Sequence, residues 1–430
     1  MVFSWYITEI SYFTYKVSIV PYYTCNNNYD MKNIFLSRSK YVHIYKCYFI
    51  IIFFNNLDYS YLFYFKLMYL GAEVYFFNLA YMLWSSCLFL QEKYTSVLYF
   101  FELSLLPILL MIISWGYQPE RVQAGIYMVM YTVLGSMPLL VSIFFLYTSY
   151  MSLNIHYLVT ISPYIPYGLV FMGFIAFFVK LPVYGVHIWL PKAHVEAPLG
   201  GSMLLAGVLL KLGGYGLYIY SNIMTISMTS WGLMFLVSLA LWGGSLAAWM
   251  CFNQNDIKAL IAYSSVVHMS IVVLGFLTCS PWGYSSSVIT MVAHGWVSSG
   301  LFLLAYITYK IVGSRSFCYT KGLLQVIPVL SMAWFIYCIW NMAVPPTINL
   351  MGELAAVPVS FMLSVQLLMV VLVLMFLSVG YNMYLYTYIN HGSISTYTVS
   401  HKMVSCPNLL ALVGHLMPLV FLFNMDLLCF

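Results

Sequence analysis

The stretch FVKLPVYGVHIWLPKAH, residues 178–194, places a lysine and a proline together inside a long apolar segment. Lys180 lies well inside an apolar run that begins at Tyr164, and Pro182 follows two residues later. Proline lacks a backbone N–H, and its ring clashes with the carbonyl four residues earlier, which here belongs to Phe178. The stretch therefore predicts a helix that breaks at Pro182, with a charged side chain beside the break.

The composition is that of an integral membrane protein. The 430 residues are 63% hydrophobic and 6% charged, and their mean hydropathy is +0.91, whereas soluble domains carry about 25% charged residues. A spanning helix needs about 20 apolar residues, so the length allows about 13–14 spans. Because the long apolar runs lack period-two alternation, they favour helices over a β-barrel. The predicted fold class is all-α, a polytopic transmembrane helical bundle.

Several function classes find no support in the sequence. The net charge of +5 comes without a basic patch suited to nucleic acid. The nine cysteines include no C-x-x-C pair, so a metal cluster or a disulfide framework is not expected. The chain also lacks a phosphate-binding loop, a dinucleotide fingerprint and a zinc signature. We therefore expect no cofactor-binding residues and no metal ligands on this chain.

Four ionisable residues stand out at membrane depth, namely Glu102, Lys180, Lys211 and Glu353. An ionised side chain at a helix centre costs about 2.5–3.5 kcal/mol, and such residues usually face a partner or a water-filled path. A second long apolar segment is interrupted by Pro345 and Pro346, seven residues before Glu353. Paired broken helices with ionisable residues nearby are typical of ion-translocating proteins.

The two lysines are expected at similar depth. With a turn near residue 194, Lys180 and Lys211 lie about 20 and 25 Å from it along their helices. Burial and a neighbouring like charge both favour a neutral lysine, so either one could exchange protons. Glu102 is the natural acidic partner of Lys180. The structural alternatives are a snorkelling role for Lys180, a hydrogen-bond donor role for Lys211 and a purely structural ion pair for Glu102.

Histidines supply candidate links between the charged residues. His268 and His294 lie between Lys211 and Glu353 in the chain, where a neutral imidazole could relay a proton, although each could equally be a satisfied core residue. For His187 and His194, relay and structural roles are equally open. Asp256 and Lys258 stand at a predicted helix start, where an acid complements the helix dipole and a structural role is favoured.

The motifs together resemble a known family. The opening stretch, FELSLLP (101–107), QNDIKALIAYSSVVHMS (254–270), VAHGWVSSGLF (292–302) and PPTINLMGEL (345–354) are similar to the subunit 4 family of respiratory complex I, the proton-pumping NADH:ubiquinone oxidoreductase. Its members are antiporter-like and are similar to subunits of multisubunit Na⁺/H⁺ antiporters. The resemblance implies two inverted antiporter-like repeats with broken helices around a polar axis.

The resemblance also implies roles for individual segments. It implies divergent N-terminal transmembrane helices over 1–94, a first antiporter-like half over 95–220, a second half over 221–390 and a C-terminal helix over 391–430. It implies proton translocation by the six residues Glu102, Lys180, Lys211, His268, His294 and Glu353.

The remaining implications concern partners and location. The resemblance implies that NADH, FMN, iron–sulfur clusters and ubiquinone bind to other subunits, and that neighbouring antiporter-like subunits, accessory subunits and lipids are the partners. The implied location is the mitochondrial inner membrane, with a bacterial plasma membrane as the alternative. Two other functions stay open, a subunit of a cation/proton antiporter and a structural, non-pumping membrane subunit.

Overall fold

The structure is a computed structural model that describes residues 71–161, 163–224, 231–393 and 404–421. The predicted N-terminal helices lie outside the described residues as far as position 70, and the predicted C-terminal helix lies outside them beyond position 421. Within the described ranges the chain forms helices and no β-strand. The predicted all-α membrane fold is confirmed.

The first half contains nine α-helices among its described residues, with one π-helical segment between the last two. They are α1 (Gly71–Leu90), α2 (Tyr94–Leu103), α3 (Leu105–Trp115), α4 (Arg121–Tyr150), α5 (Ile155–Ile161), α6 (Tyr167–Lys180), α7 (Trp189–Glu196), α8 (Leu199–Leu204), the π-helix (Leu205–Leu209) and α9 (Leu210–Ile223).

The second half contains eight α-helices among its described residues. They are α10 (Trp231–Phe252), α11 (Ile257–Thr278), α12 (Pro281–Val312), α13 (Leu323–Val326), α14 (Pro328–Asn341), α15 (Ile348–Leu363), α16 (Val365–Asn390) and α17 (Cys406–Phe421). In the described part of the chain, seven helical stretches are long and apolar enough to span a membrane, and five shorter apolar helices accompany them.

The first predicted break is present at Pro182, between α6 and α7. Because Pro182 has no N–H to offer the carbonyl of Phe178, that carbonyl accepts from the N–H of Val183 instead, at 2.9 Å. The indole N–H of Trp189 donates to the carbonyl of Val179 at 2.9 Å. Backbone groups that the break releases are thus satisfied by protein, as non-helical backbone at membrane depth requires.

The second predicted break is present at Pro345 and Pro346, between α14 and α15. A backbone hydrogen bond spans this break, since the N–H of Thr347 donates to the carbonyl of Val344 at 2.9 Å. The side-chain amide of Asn349 donates to the carbonyl of Trp340 at 2.7 Å. Both breaks therefore combine an interrupted helix with local hydrogen bonds that hold its two pieces together.

The helices α11 and α12 form the centre of the bundle. The apolar segments of these two helices are almost entirely buried inside the protein, whereas α4 and α16 expose much of their surface. Helix α12 packs against α11 and α15, and α11 also packs against α10 and α7. Since α11 and α12 carry His268 and His294, the fold places both histidines in its most buried layer.

Candidate functional site

The centre of the site is a contact between Lys211 and His294. The Lys211 ammonium donates to the carbonyl of Ala206 at 2.6 Å and lies 3.1 Å from Nδ1 of His294. Both side chains are buried. The π-helix Leu205–Leu209 ends just before Lys211, and such segments often occur at functional sites. The sequence did not predict this segment, because a five-residue apolar π-turn has no compositional signal.

The row continues from His294 to Glu353 through His268. The two imidazole rings have centroids 5.4 Å apart. Nδ1 of His268 lies 3.5 Å from Oε1 of Glu353, and both side chains are buried. The structure therefore brings Lys211, His294, His268 and Glu353 together in one buried row that runs from α9 through α12 and α11 to α15.

Tyr381 on α16 also contacts this row, and sequence reasoning missed it. Its hydroxyl lies 3.5 Å from Nε2 of His268, and its side chain is fully buried. The sequence holds 40 tyrosines, so residue type alone could not single out this one.

Lys180 is fully buried, but its ammonium does not bind a carboxylate. It donates to the backbone carbonyl of Phe101 at 2.6 Å and lies 3.0 Å from the centroid of the Phe101 ring. The same carbonyl accepts from the hydroxyl of Ser104, where α2 ends and α3 begins. The interruption between α2 and α3 thus presents a carbonyl to Lys180 at membrane depth.

The expected direct ion pair between Glu102 and Lys180 is not formed. Glu102 acts on Lys180 electrostatically, but the described residues contain no direct salt bridge between them. Oε1 of Glu102 is buried and makes no hydrogen bond to any described residue. The Lys180 ammonium donates to the Phe101 carbonyl instead, at 2.6 Å.

The two lysines do not form the like-charge pair that their depth suggested. Helices α6 and α9 pack closely, since a Cβ on Gly213 would lie 3.0 Å from Cβ of Lys180. Yet the Lys180 ammonium binds Phe101 while that of Lys211 binds Ala206 and His294. Similar depth was not enough to predict contact, because the side chains point to different partners.

His187 and His194 lie in different surroundings. His187 belongs to the loop between α6 and α7, where its Nδ1 accepts from the N–H of Gly185 at 3.2 Å. His194 is fully buried and stacks on Phe302 with ring centroids 4.5 Å apart. Neither of its ring nitrogens makes a hydrogen bond within the described residues. His187 therefore has a local structural contact, whereas His194 borders the row without bonding to it.

Asp256 and Lys258 lie at the end of the bundle, away from the row. Asp256 occupies the residue before α11, and Lys258 donates to the carbonyls of Ala197 at 3.3 Å and Val195 at 3.5 Å. The guanidinium of Arg315 donates to the same Val195 carbonyl at 2.8 Å. These contacts tie the end of α7 to the start of α11 and the loop after α12.

The described residues contain no group of three histidine, cysteine or acidic side chains that could hold a metal ion. The ammonium, imidazole and carboxylate groups of the row can each release or take up a proton. Lys211 contacts His294, His268 contacts Glu353, and the two imidazole rings stand 5.4 Å apart between these contacts, with the Tyr381 phenol beside His268.

Comparison with known proteins identifies the family. Residues 92–378 match the family model described as NADH:quinone oxidoreductase/Mrp antiporter, TM. The chain is 46% identical over 319 residues to NADH-ubiquinone oxidoreductase chain 4 from Albinaria caerulea, an alignment that covers 74% of this chain and 73% of the relative. The chain belongs to the NADH-ubiquinone oxidoreductase chain 4 family.

Solved structures show that the chain 4 fold is antiporter-like. The chain aligns with a TM-score of 0.80 and 21% identity to a chain of respiratory complex I from Thermus thermophilus, covering 89% of this chain and 81% of that one. It also aligns with a TM-score of 0.72 and 17% identity to a chain of the Mrp complex from Dietzia sp. DQ12-45-1b, covering 82% and 75%.

The relatives also settle the location. The chain 4 relatives at 41–48% identity are animal proteins. Like them, this multi-pass chain resides in the mitochondrial inner membrane rather than in a bacterial plasma membrane.

Proposed function

We propose that this chain is a proton-translocating core membrane subunit of respiratory complex I, and that protons move along the row from Lys211 to Glu353. The observation that carries the proposal is the row itself. Its members are buried among apolar helices and are spaced by 3.1 Å, a 5.4 Å ring separation and 3.5 Å. Intramembrane ionisable residues of this kind mark ion and proton pathways.

The Lys211–His294 contact supports the first transfer. An ammonium can donate only, so Nδ1 of His294 accepts and a neutral His294 carries its proton on Nε2. Transfer of a proton from Lys211 to Nδ1 would leave a neutral amine and an imidazolium. The imidazolium can then release the proton on Nε2, which makes no hydrogen bond to any described residue.

The second transfer has to cross from His294 to His268. With ring centroids 5.4 Å apart, the two imidazoles can share a hydrogen bond only when a nitrogen of each ring points at the other ring. A ring rotation or one bridging water closes the gap. His268 then faces Glu353, whose carboxylate can accept the proton.

Lys180 and Glu102 would control the row by charge. Movement of the Glu102 carboxylate towards Lys180 would stabilise the ammonium, and its withdrawal would favour the neutral amine. Moving one charge against 100 mV takes about 2.3 kcal/mol. Pairing or unpairing a poorly solvated ion can supply an energy of that order. Redox events in other subunits would drive this change.

The charge distribution supports an orientation. Tyr117, Tyr309, Lys258 and Arg315 lie at one end of the bundle, as the ring contacts of Tyr117 with Tyr309 and Lys258 show. The basic residues at this end are Arg121, Lys192, Lys258, Lys310, Arg315 and Lys321. In the described part of the chain, the opposite end carries only Lys93. Since basic loops favour the negatively charged side, we assign the basic end to the matrix.

The enzyme reaction belongs to the assembly, NADH:ubiquinone reduction coupled to proton translocation. In this proposal NADH, FMN, the iron–sulfur clusters and ubiquinone bind to other subunits, and this chain supplies proton transfer. Neighbouring antiporter-like subunits, accessory subunits and lipids are its partners. The relatives' names and the matched complex I chain support this assignment.

The test replaces Lys211 by Met in the intact complex reconstituted into proteoliposomes. The expected result is fewer protons translocated per NADH oxidised, because Met fills the space without carrying a proton. Lys310→Met is the matched control, since Lys310 is exposed near the end of α12. An unchanged proton yield in Lys211→Met would refute the proposal. The antiporter alternative predicts in addition that the chain does not copurify with NADH dehydrogenase activity.

A further inference from the structure

The imidazole of His268 is held at both of its nitrogens. Nδ1 lies 3.5 Å from Oε1 of Glu353, and Nε2 lies 3.5 Å from the hydroxyl of Tyr381. When the Glu353 carboxylate is ionised it can only accept, which favours a proton on Nδ1 of His268 and leaves Nε2 to accept from the Tyr381 hydroxyl. The two contacts together select one tautomer and one ring orientation.

This orientation leaves His268 disconnected from His294. Both nitrogens of His268 are engaged elsewhere, and Nε2 of His294 makes no hydrogen bond to any described residue. The rings lie 5.4 Å apart and are inclined by 46°. Transfer along the row therefore requires His268 to give up one of its two contacts, or a water to enter between the rings.

The contact with Tyr381 is the weaker of the two. It joins a phenol to an imidazole at 3.5 Å, near the upper limit of a hydrogen bond, whereas the contact with Glu353 joins the imidazole to an ionisable carboxylate, which is the stronger acceptor when ionised. Tyr381 is itself placed on α16 beside Asn382. The Asn382 side chain accepts from Asn341 at 2.9 Å and donates to Ser378 at 2.8 Å. The phenol thus stands on a well-anchored part of α16, while its contact with His268 can open.

We propose that Tyr381 is a positioning residue that holds the His268 imidazole towards Glu353 and away from His294. Between transfers, it thereby keeps the proton path interrupted between His268 and His294. This inference rests on the proposed proton translocation. It adds to that proposal the residue Tyr381 and places the interruption of the proton path between His268 and His294. When the contact is intact, a proton on Glu353 or His268 does not return to His294. When it opens, the ring can turn and accept from His294.

The test compares Tyr381→Phe with Tyr337→Phe in the reconstituted complex. Tyr337 is also fully buried, and its hydroxyl donates to the backbone carbonyl of Leu412 at 2.8 Å, away from the row. Each variant removes one buried phenolic hydroxyl and keeps the ring. A hydrogen bond of this kind biases a two-state equilibrium by about fivefold. Passive proton leak through the inhibited complex should therefore rise about fivefold in Tyr381→Phe, with a lower proton yield per NADH oxidised by the assembled complex.

The controls separate the possible results. Tyr337→Phe should behave as the unmodified complex, and Tyr381→Phe should add nothing to His268→Asn, because the tyrosine acts through His268. An equal effect of both tyrosine variants, or an additive effect with His268→Asn, would overturn the positioning role. Unchanged leak and yield in Tyr381→Phe, with a reduced yield in Lys211→Met, would overturn this inference and leave proton translocation standing. Unchanged yield in Lys211→Met would overturn both.

Discussion

The Lys211 ammonium lies 3.1 Å from Nδ1 of His294, and the residue that follows the histidine is Gly295. A Cβ on Gly295 would lie 3.2 Å from Cε of Lys211 and 3.4 Å from the carbonyl of Gly207. Glycine therefore allows α12 to approach the lysine and the π-helix closely enough for the contact. The contact between Lys211 and His294 therefore depends on the absence of a side chain at Gly295 as well as on the ammonium and the imidazole.

Gly295→Ala should displace Lys211 and lower the proton yield. A methyl group at 3.2 Å is tighter than ordinary van der Waals contact, and overpacking of this kind costs about 1–3 kcal/mol. The measurement is the number of protons translocated per NADH in proteoliposomes. Gly168→Ala is the control, because a Cβ there would meet nothing within 4 Å. Equal yields in the two variants would show that the approach of α12 to Lys211 is not required.

Trp189→Phe should destabilise the region of the first break. The indole N–H donates to the carbonyl of Val179, and its loss would leave a buried acceptor unpaired at a cost of about 1–3 kcal/mol. The measurement is the thermal inactivation of NADH:ubiquinone reduction, which should occur at a lower temperature. Trp242→Phe is the control, since Trp242 is 61% exposed on α10. The same inactivation temperature in both variants would contradict the structural role of the Trp189 bond.

Glu353→Gln distinguishes pumping from a purely structural role. The amide keeps the size of the side chain but cannot take up a proton, so the proton yield should fall while the complex still assembles. Assembly is measured as the amount of chain that comigrates with NADH dehydrogenase activity, and the yield is measured on that material. Lost assembly with normal pumping in the residual complex would favour the structural alternative.

Phe101→Leu tests whether Lys180 depends on the backbone carbonyl or on the aromatic ring. Leucine keeps the carbonyl that accepts from Lys180 at 2.6 Å but removes the ring that lies 3.0 Å away. A desolvated cation–π contact contributes about 2 kcal/mol. We expect a smaller loss of proton yield than in Lys180→Met, measured under the same conditions. A loss as large as that of Lys180→Met would mean that the ring, not the carbonyl, holds the ammonium.

The sequence predicted where charges and breaks lie, and it failed to predict which groups touch. Proline at 182 was a sufficient signal, because a missing N–H has the same consequence in any surroundings. The partner of Lys180 was not predictable, since the kink that presents the Phe101 carbonyl depends on how α2, α3 and α6 pack. A carbonyl acceptor is present at every residue, so composition cannot identify the one that is used.

For the histidines too, the sequence predicted the positions but not the contacts. Their positions between Lys211 and Glu353 in the chain indicated a relay, but helical spacing does not say which nitrogen faces which partner. Tyr381 and the π-helix before Lys211 carried no signal at all, because both resemble the aromatic and aliphatic background of the chain. Contacts between distant helices set these features, and a single sequence does not show such contacts.

The most direct test of a connected row is the proton yield of Lys211→Met, Glu353→Gln and the double variant, measured side by side in proteoliposomes. If the two residues act in series, each single variant and the double variant should lose the same share of the protons translocated per NADH. An unchanged yield in either single variant, or a double variant that loses the sum of two separate effects, would contradict the account.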